Sequence, residues 1–129
     1  MFRVLIVDDE PVSAAMIRSM LQKHFPLLSV SGVASNINEA LSHLQNQPVE
    51  LVLLDIELHK QSGFDLLDKT RNRNWQFIML SASNEHACKT FEYGGSGYLL
   101  KPVSEEELAL SLSHVFGKDF SAFTHILSG

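Results

Sequence analysis

The segment VLIVDDEP at residues 4–11 joins four consecutive apolar residues directly to three acidic residues and a proline. Four apolar residues are too few for a stable helix, but they suit a β-strand that helices cover on both faces. Pro11 fits the first turn of a helix, which we predict to run to about residue 24. The segment therefore predicts a buried strand, an acidic strand end and a helix in direct succession.

The same alternation recurs along the chain, where short apolar blocks are separated by stretches with helical periodicity. Strands that alternate with helices are typical of a parallel sheet, because each helix forms the crossover to the next strand. We therefore predict a single-domain α/β fold of the (βα)5 type, an open, doubly wound, five-stranded parallel sheet with flavodoxin-like architecture. The predicted strands are VLIV at 4–7, LLSVSGV at 27–33, LVLLD at 51–55, FIML at 77–80 and GYLLK at 97–101.

Helix start signals and apolar spacing indicate where the helices lie. Asn36 and Ser104 are each followed three residues later by glutamate, which is the spacing of a capping box. Apolar residues at helical spacing predict two further helices near residues 64–70 and 87–91. For the first helix we expect a buried face made of Val12, Ala15, Met16, Met20 and Leu21.

The composition is that of one ordinary globular domain. With 129 residues, of which 45% are hydrophobic and 19% are charged, the chain can form a packed core, which excludes the disordered and fibrous classes. We assign residues 1–117 to the domain and residues 118–129 to a C-terminal tail or the start of a linker. The formal charge of -5 offers no electrostatic footprint for nucleic acid, so we expect no nucleic-acid contact by this domain.

Cysteine usage and hydropathy favour the cytoplasm. The single cysteine, Cys88, cannot form an intramolecular disulfide, and we expect it to be a small buried residue. No apolar run is long enough to span a membrane, and the acids at residues 8–10 come too early for a signal peptide. We therefore expect a cytoplasmic protein without a membrane partner.

Polar and charged side chains follow four of the five predicted strands. They are Asp8 and Asp9 after the first strand, Asp55 at the end of the third, Ser81 after the fourth and Lys101 at the end of the fifth. Because the carboxyl ends of parallel strands lie at one edge of the sheet, we expect these side chains to converge.

This set of side chains predicts a metal-dependent phosphoryl-transfer site. Clustered carboxylates repel one another, and a hard divalent cation such as Mg2+, or Mn2+, removes that repulsion. A carboxylate beside such a cation can attack phosphorus and form an aspartyl phosphate. A lysine and a hydroxyl suit the charged oxygens of the transferred group.

Each of these residues also has an ordinary explanation. Asp8 and Asp9 can be solvated acids that favour a helix start, Ser81 can be a turn hydroxyl, and Tyr98 can be a half-buried strand aromatic. The six histidines lie on different predicted elements without ligand spacing, which argues against a histidine metal site. The coincidence at four strand ends favours the functional interpretation of the acids and the lysine.

Four segments carry a resemblance to a known family. From residue 2 to about residue 116, the chain resembles the receiver domains of two-component response regulators. The matching segments, in the family's order and spacing, are VLIVDDEP, LVLLDIELHKQSGFDLL, FIMLSAS and GYLLKPVSEEEL.

The resemblance implies which residue accepts the phosphoryl group and which residues bind the metal. Asp55 matches the family's phosphoacceptor. The metal ligands implied by the resemblance are Asp8, Asp9, Asp55 and the backbone carbonyl of Glu57.

The resemblance also implies how the phosphoryl group is bound and sensed. Ser81, the small residue Ala82 and Lys101 match the family's phosphate-binding positions. Ser81 and Tyr98 match the two switch positions, and the Lys101–Pro102 peptide bond is expected to be cis.

Partners and output are implied by the same resemblance. Receivers take the phosphoryl group from a sensor histidine kinase or a histidine phosphotransfer protein, catalyse the transfer themselves, and hydrolyse the product slowly. The altered surface is the fourth helix, fifth strand and fifth helix, here about residues 84–116, which often forms a homodimer or binds a target. We expect control of transcription through an effector domain, and whether such a domain follows residue 129 or the receiver stands alone is left open.

The sequence departs from the family's pattern after the acceptor. His59 stands where the family usually has proline, while Gly63 keeps its place, so we expect a reshaped loop with intact chemistry. We hypothesise that Glu57 and Ser83 tune the lifetime of the phosphorylated state. The Glu57 side chain is expected to repel an incoming anion or water, or to pair with Lys60.

Two other functions compete with a phosphorylated switch. The first is a receiver-like interaction module that does not use phosphorylation, against which the intact acids, acceptor and lysine argue. The second is a small Mg2+-dependent phosphohydrolase, because the segment Asp55-Ile56-Glu57 faintly resembles the paired acids of haloacid dehalogenase-like enzymes. The absence of a cap insertion for gripping a substrate argues against the second function.

Overall fold

A computed structural model of the protein describes residues 2–117, and in this part of the chain five strands alternate with five α-helices. The predicted tail at residues 118–129 lies outside the described residues. The strands are β1 (Phe2–Val7), β2 (Leu28–Ala34), β3 (Leu51–Asp55), β4 (Gln76–Ser81) and β5 (Gly97–Leu100). The helices are α1 (Pro11–His24), α2 (Ile37–Asn46), α3 (Gly63–Lys69), α4 (Ala87–Glu92) and α5 (Glu105–Phe116). A short antiparallel hairpin, Glu57–Leu58 with Gln61–Ser62, connects β3 to α3.

The five strands form one parallel sheet in the order β2-β1-β3-β4-β5. This arrangement confirms the predicted (βα)5 doubly wound fold. The chain leaves β1 toward one side of the sheet to form β2, and β3 then lies on the other side of β1. The loops after β1 and β3 therefore diverge at their carboxyl ends and leave a crevice between them, which is where such sheets bind ligands.

Each face of the sheet has its own apolar core. Alternate residues of a strand point to opposite faces, so Val4 and Ile6 pack beneath α1 and α5, whereas Leu5 and Val7 pack beneath α2 and α3. All four side chains are fully buried. The central strands are thus covered on both faces, which explains their continuous apolar sequence.

The predicted buried face of α1 is only partly right, because Leu21 is buried as predicted but most of the face is exposed. Ala14, Ile17 and Leu21 are the buried residues of this helix, whereas Val12 is 73% exposed and Met16 is 55% exposed. The helix carries two overlapping apolar stripes at helical spacing, and periodicity alone does not choose between them. An apolar stripe of α1 therefore faces outward.

The expectation that Cys88 is buried is also wrong, because this residue is exposed on α4. Within α4, Thr90 is the residue that the structure buries. Among the described residues, none of the helices combines the length and the apolar character needed to cross a bilayer.

The predicted helix caps form, with one addition. The Asn36 side chain accepts from the backbone N–H of Glu39, and the Ser104 side chain accepts from that of Glu107. A complete capping box, with both reciprocal hydrogen bonds, starts α3. There the Ser62 hydroxyl accepts from the N–H of Phe64 at 3.2 Å, while the Asp65 carboxylate accepts from the N–H of Ser62 at 2.9 Å. This cap fixes the beginning of α3 directly after the hairpin.

Gly63 allows α3 to pass close to the end of β3. A Cβ atom at this position would lie 2.6 Å from the backbone oxygen of Asp55 and 3.1 Å from Cγ of Leu54. Because the nearest atom belongs to the backbone, the contact cannot be relieved by turning a side chain. The glycine thus sets the distance between α3 and the strand that carries Asp55.

We predict that Gly63→Ala lowers the free energy of unfolding by about 2 kcal/mol, since the added methyl group overpacks this contact. Urea unfolding followed by circular dichroism measures the change. Gly97→Ala is the matched control, because the nearest atom to its new Cβ would be the side-chain oxygen of Ser111 at 3.3 Å. Its loss of unfolding free energy should be clearly smaller. Equal losses in the two variants would contradict the explanation.

Candidate functional site

The sheet brings the predicted strand-end residues to one edge. Asp8 directly follows β1, Asp55 ends β3, Ser81 ends β4 and Lys101 directly follows β5. The strand register pairs Asp55 with Leu80 and Ser81 with Leu100, so the three strand ends lie level with one another. The predicted convergence is therefore present in the structure.

Three carboxylates form the centre of this edge. Asp8, Asp9 and Asp55 each offer an oxygen atom, and these atoms all lie within 4.8 Å of one another. Asp8 is 2% exposed and Asp55 is 1% exposed, whereas Asp9 is half-buried. A cluster of hard oxygen donors that is open on one side fits a divalent cation such as Mg2+, which keeps some of its own water ligands.

Lys101 is the cation that partly neutralises these acids. Its Nζ atom lies 2.9 Å from Oδ2 of Asp55, 3.1 Å from Oδ2 of Asp8 and 3.4 Å from Oε1 of the exposed Glu10. One ammonium group thus bridges the two buried carboxylates. Because the cluster contains three acids and this single lysine, a net negative charge remains at the crevice.

Burial and charge act in opposite directions on the two central groups. Burial raises the pKa of Asp55 to about 6, helped by the charge of Asp8, although the hydrogen bond and charge of Lys101 work against the shift. Partial burial lowers the pKa of Lys101, but the hydrogen bonds and charges of Asp55 and Asp8 outweigh it and hold that pKa above its ordinary value. At neutral pH, Asp55 is therefore mostly ionised and Lys101 is charged.

Hydrogen bonds from neighbouring groups fix the orientation of Asp8. One oxygen of its carboxylate accepts from the backbone N–H of Glu10 at 2.9 Å, and the other accepts from the hydroxyl of Ser13 at 2.6 Å. Ser13 is not among the site residues predicted from the sequence. Its place in the first turn of α1, five residues after the acid, is the signal that could have indicated it.

His59 ties the loop after Asp55 to the end of the first strand. The backbone N–H of His59 donates to Oδ2 of Asp9 at 2.7 Å. Proline has no N–H, so a residue other than proline is required for this hydrogen bond. Lys60, the next residue, adopts a positive φ of 61° in the two-residue turn of the hairpin. The departure at position 59 thus gives the hairpin a direct bond to a predicted metal ligand.

Glu57 occupies a position that the sequence analysis did not predict. Its Oε2 atom accepts from the hydroxyl of Ser81 at 2.8 Å, and its Oε1 atom accepts from the backbone N–H of Ala82 at 2.9 Å. The backbone N–H of Glu57 donates to Oδ1 of Asp55 at 3.1 Å. The carboxylate therefore binds the loop after β4, and not Lys60.

Tyr98 is linked to the same loop. It is half-buried on β5, and its hydroxyl donates to the backbone carbonyl of Ser83. The N–H of Ser83 in turn donates to the hydroxyl of Ser81 at 3.2 Å. Ser83 thus connects Ser81 with Tyr98, the two residues that match the family's switch positions.

The Lys101–Pro102 peptide bond is cis, as the resemblance implied.

Comparison with known proteins identifies the family. The sequence model of the response regulator receiver domain family matches residues 4–113, which is most of the chain. The protein therefore belongs to the receiver domain family of two-component response regulators.

Two curated relatives illustrate the similarity. The chain is 34% identical over 107 residues to the sensory transduction protein LytT of Enterococcus faecalis, covering 81% of this chain and 44% of that protein. It is 32% identical over 116 residues to the transcriptional regulatory protein BtsR of Escherichia coli, covering 89% of this chain and 48% of that protein. The chain thus spans about half the length of these relatives.

Two solved structures are similar to this chain in both fold and sequence. One contains the P1 domain of CheA3 in complex with CheY6 from R. sphaeroides, with a TM-score of 0.77, 31% identity, and coverage of 89% of this chain and 96% of the matched chain. The other is the response regulator TrrA from Thermotoga maritima in complex with Mg2+-BeF. Its TM-score is 0.77 at 26% identity, and the match covers 89% of this chain and 99% of the TrrA chain.

The raised pKa of Asp55 predicts a pH dependence of stability in metal-free protein. Between about pH 4 and pH 6 the folded chain holds a proton on Asp55 that the unfolded chain has lost. The contribution of Asp55 is therefore present at low pH and is lost as the pH rises through 6. We expect the free energy of unfolding of the wild type, relative to Asp55→Asn, to fall by about 2 kcal/mol across this window. Urea unfolding in EDTA at several pH values measures it, and parallel curves for the two proteins would contradict the prediction.

Proposed function

We propose that the chain is a Mg2+-dependent phosphoacceptor that receives a phosphoryl group at Asp55 from a histidine kinase or histidine phosphotransfer protein. The observation that carries this proposal is the placement of one buried carboxylate between two further acids and a lysine at the open edge of the sheet. A buried ion pair that serves stability alone does not need two additional carboxylates beside it, because they only add repulsion.

Asp55 acts as the nucleophile in the proposed transfer. The bond between phosphorus and the donor's imidazole nitrogen breaks, and a bond from an Asp55 oxygen to phosphorus forms. The electron pair of the broken bond stays on the imidazole, which leaves as a neutral ring because its other nitrogen already carries a proton. An ionised carboxylate is required, and a pKa of about 6 keeps most Asp55 side chains ionised at neutral pH.

The neighbouring groups stabilise the charge on the transferred phosphoryl oxygens. Lys101, 2.9 Å from Asp55, is placed to contact one oxygen, and the Ser81 hydroxyl and the N–H of Ala82 are donors for others. Asp8, Asp9, Asp55 and the backbone carbonyl of Glu57 would hold Mg2+. When bound, the ion neutralises charge on the phosphoryl group. The complex of TrrA with Mg2+-BeF supports this assignment by similarity.

The proposed switch couples Ser81 to Tyr98. Phosphorylation adds negative charge and strong acceptors at Asp55, which attract Ser81 and Lys101. Because Ser83 bonds to both Ser81 and Tyr98, a shift of the loop after β4 reaches the tyrosine directly. We propose that the shift changes the surface formed by α4, β5 and α5.

That surface is the proposed output. Phe91 on α4 is 59% exposed and Leu110 on α5 is 62% exposed, which suits contact with a second copy or a target. BtsR is a transcriptional regulatory protein, and the chain corresponds to about half of it, so we propose a transcriptional output through an effector domain. Since a phosphohistidine donor is made with ATP, we place the reaction in the cytoplasm.

The outward stripe of α1 is the proposed docking surface for the phosphodonor. Val12, Met16 and Met20 line a groove that ends at Lys101 and Pro102, next to the crevice. A donor protein must present its histidine at this crevice, so an apolar surface beside it is well placed for the contact. The complex of the CheA3 P1 domain with CheY6 supports a protein donor by similarity.

Acetyl phosphate provides the direct test of the acceptor. We expect one added phosphoryl group by intact mass in the presence of Mg2+, and none in EDTA or in Asp55→Asn. A Mg2+-dependent adduct on Asp55 also excludes the phosphorylation-independent module. Folded, Mg2+-loaded wild type that gives no adduct and binds no beryllofluoride would refute the proposal and favour that module.

The docking surface is tested by comparing a protein donor with a small one. The test uses a histidine kinase that phosphorylates the wild type. With this kinase, Met16→Glu should be phosphorylated about tenfold more slowly than the wild type, because the variant buries a charge in an apolar contact. Its rate with acetyl phosphate should not change. Leu110→Glu is the matched control, since it adds the same charge at an equally exposed apolar position on α5. Equal slowing in both variants, or equal slowing with both donors, would contradict the assignment.

A further inference from the structure

The Glu57 carboxylate already binds the donors that the proposed function reserves for the phosphoryl group. Its two oxygens take the Ser81 hydroxyl at 2.8 Å and the Ala82 N–H at 2.9 Å. A carboxylate presents two adjacent, negatively charged acceptors, as a phosphoryl group does, and charge-assisted hydrogen bonds are among the stronger ones in proteins.

We propose that the Glu57 side chain is an internal ligand of the phosphoryl-binding donors, which the phosphoryl group on Asp55 must displace. This inference rests on the proposed function and adds a regulation of the same site. In the unphosphorylated protein, Glu57 competes for the site and keeps the Ser81 hydroxyl engaged. After transfer, its tendency to return weakens the hold on the phosphoryl group.

The position of Glu57 is built into the backbone around it. Its N–H donates to Asp55, and it pairs with Ser62 in the short hairpin, so the residue cannot move far from the acceptor. The side chain, by contrast, is 46% exposed and has room to leave. A displaceable ligand requires a backbone that stays in place and a side chain that can move into solvent, and Glu57 has both.

Ser81 needs an acceptor within the protein. The residue is fully buried, and a buried hydroxyl without an acceptor costs free energy. Glu57 meets that need before phosphorylation, and a phosphoryl oxygen can meet it afterwards. The exchange therefore leaves no buried donor unpaired at either end.

His86 lies beside the carboxylate and offers it another partner. Its Nε2 atom is 4.0 Å from Oε2 of Glu57 and 3.2 Å from Oε1 of Glu85. A small movement of the Glu57 side chain away from Ser81 brings it toward this ring. The displaced carboxylate thus has a polar position to occupy at the surface.

A phosphoryl mimic can bind only those molecules in which Glu57 has released the Ser81 and Ala82 donors. The apparent dissociation constant of the mimic is therefore its intrinsic value divided by the fraction of molecules in that state. We expect Glu57→Ala to bind beryllofluoride, with Mg2+ present, about tenfold more tightly than the wild type. Fluorine NMR titration measures the affinity. Autodephosphorylation should slow in the same variant, because the returning carboxylate is absent.

Two variants separate the contact from the charge. Glu57→Asp keeps the charge but is one methylene group too short to reach both donors, so its affinity should rise toward that of Glu57→Ala. Glu92→Gln removes an exposed charge on α4 that contacts neither the two donors nor His86, and its affinity should equal that of the wild type. The N–H resonance of Ala82 in beryllofluoride-free protein should move upfield in Glu57→Ala and Glu57→Asp, but not in Glu92→Gln.

The possible results separate a failure of the internal ligand from a failure of the proposed phosphoacceptor function. If the wild type binds beryllofluoride and Glu57→Ala binds it no more tightly, the inference is overturned and the proposed function stands. If Glu57→Asp shows the upfield Ala82 resonance but keeps the wild-type affinity, charge alone acts and the internal ligand is refuted. If the folded wild type with Mg2+ binds no beryllofluoride, the proposed function fails and the inference fails with it.

Discussion

The bridge that Lys101 makes between Asp55 and Asp8 is the interaction on which the site depends. Two nearly fully buried carboxylates repel each other, and burial penalises both charges. The lysine follows the edge strand β5, so its ammonium group reaches the acids across the carboxyl end of β4. This arrangement requires the three strand ends to be level, which the parallel register provides. The remaining negative charge suits the crevice to a cation.

The fold separates a rigid half of the site from a more adjustable half. β1 and β3 are buried on both faces and hold the acids, and the Asp8 carboxylate is further fixed by Ser13. The loop after β4 depends instead on a few polar contacts among Ser81, Ser83 and Tyr98. Because packed cores deform less readily than polar loops, a change in charge at Asp55 is expected to move the second half.

The sequence predicts the strand ends well, because apolar runs define parallel strands and a parallel sheet forces their carboxyl ends together. It does not predict which stripe of α1 is buried, since Val12 and Met16 have the same spacing and polarity as residues that face the sheet. Nor does it predict the contact of Glu57 with Ser81 and Ala82. That contact joins loops separated by 24 residues, and no local pattern encodes it.

The hairpin after Asp55 connects three strand ends, and two residues, His59 and Glu57, are responsible. His59 bonds through its N–H to Asp9 after β1, while Glu57 bonds through its side chain to the loop after β4. In the proposed function, metal binding would engage the first contact and phosphorylation the second, since Asp9 is a proposed metal ligand and Ser81 a proposed phosphoryl ligand. A single two-residue turn at His59 and Lys60 separates the strands of this hairpin, so it is too short to absorb both changes independently. Metal and phosphoryl group are therefore expected to act on the switch through the same segment.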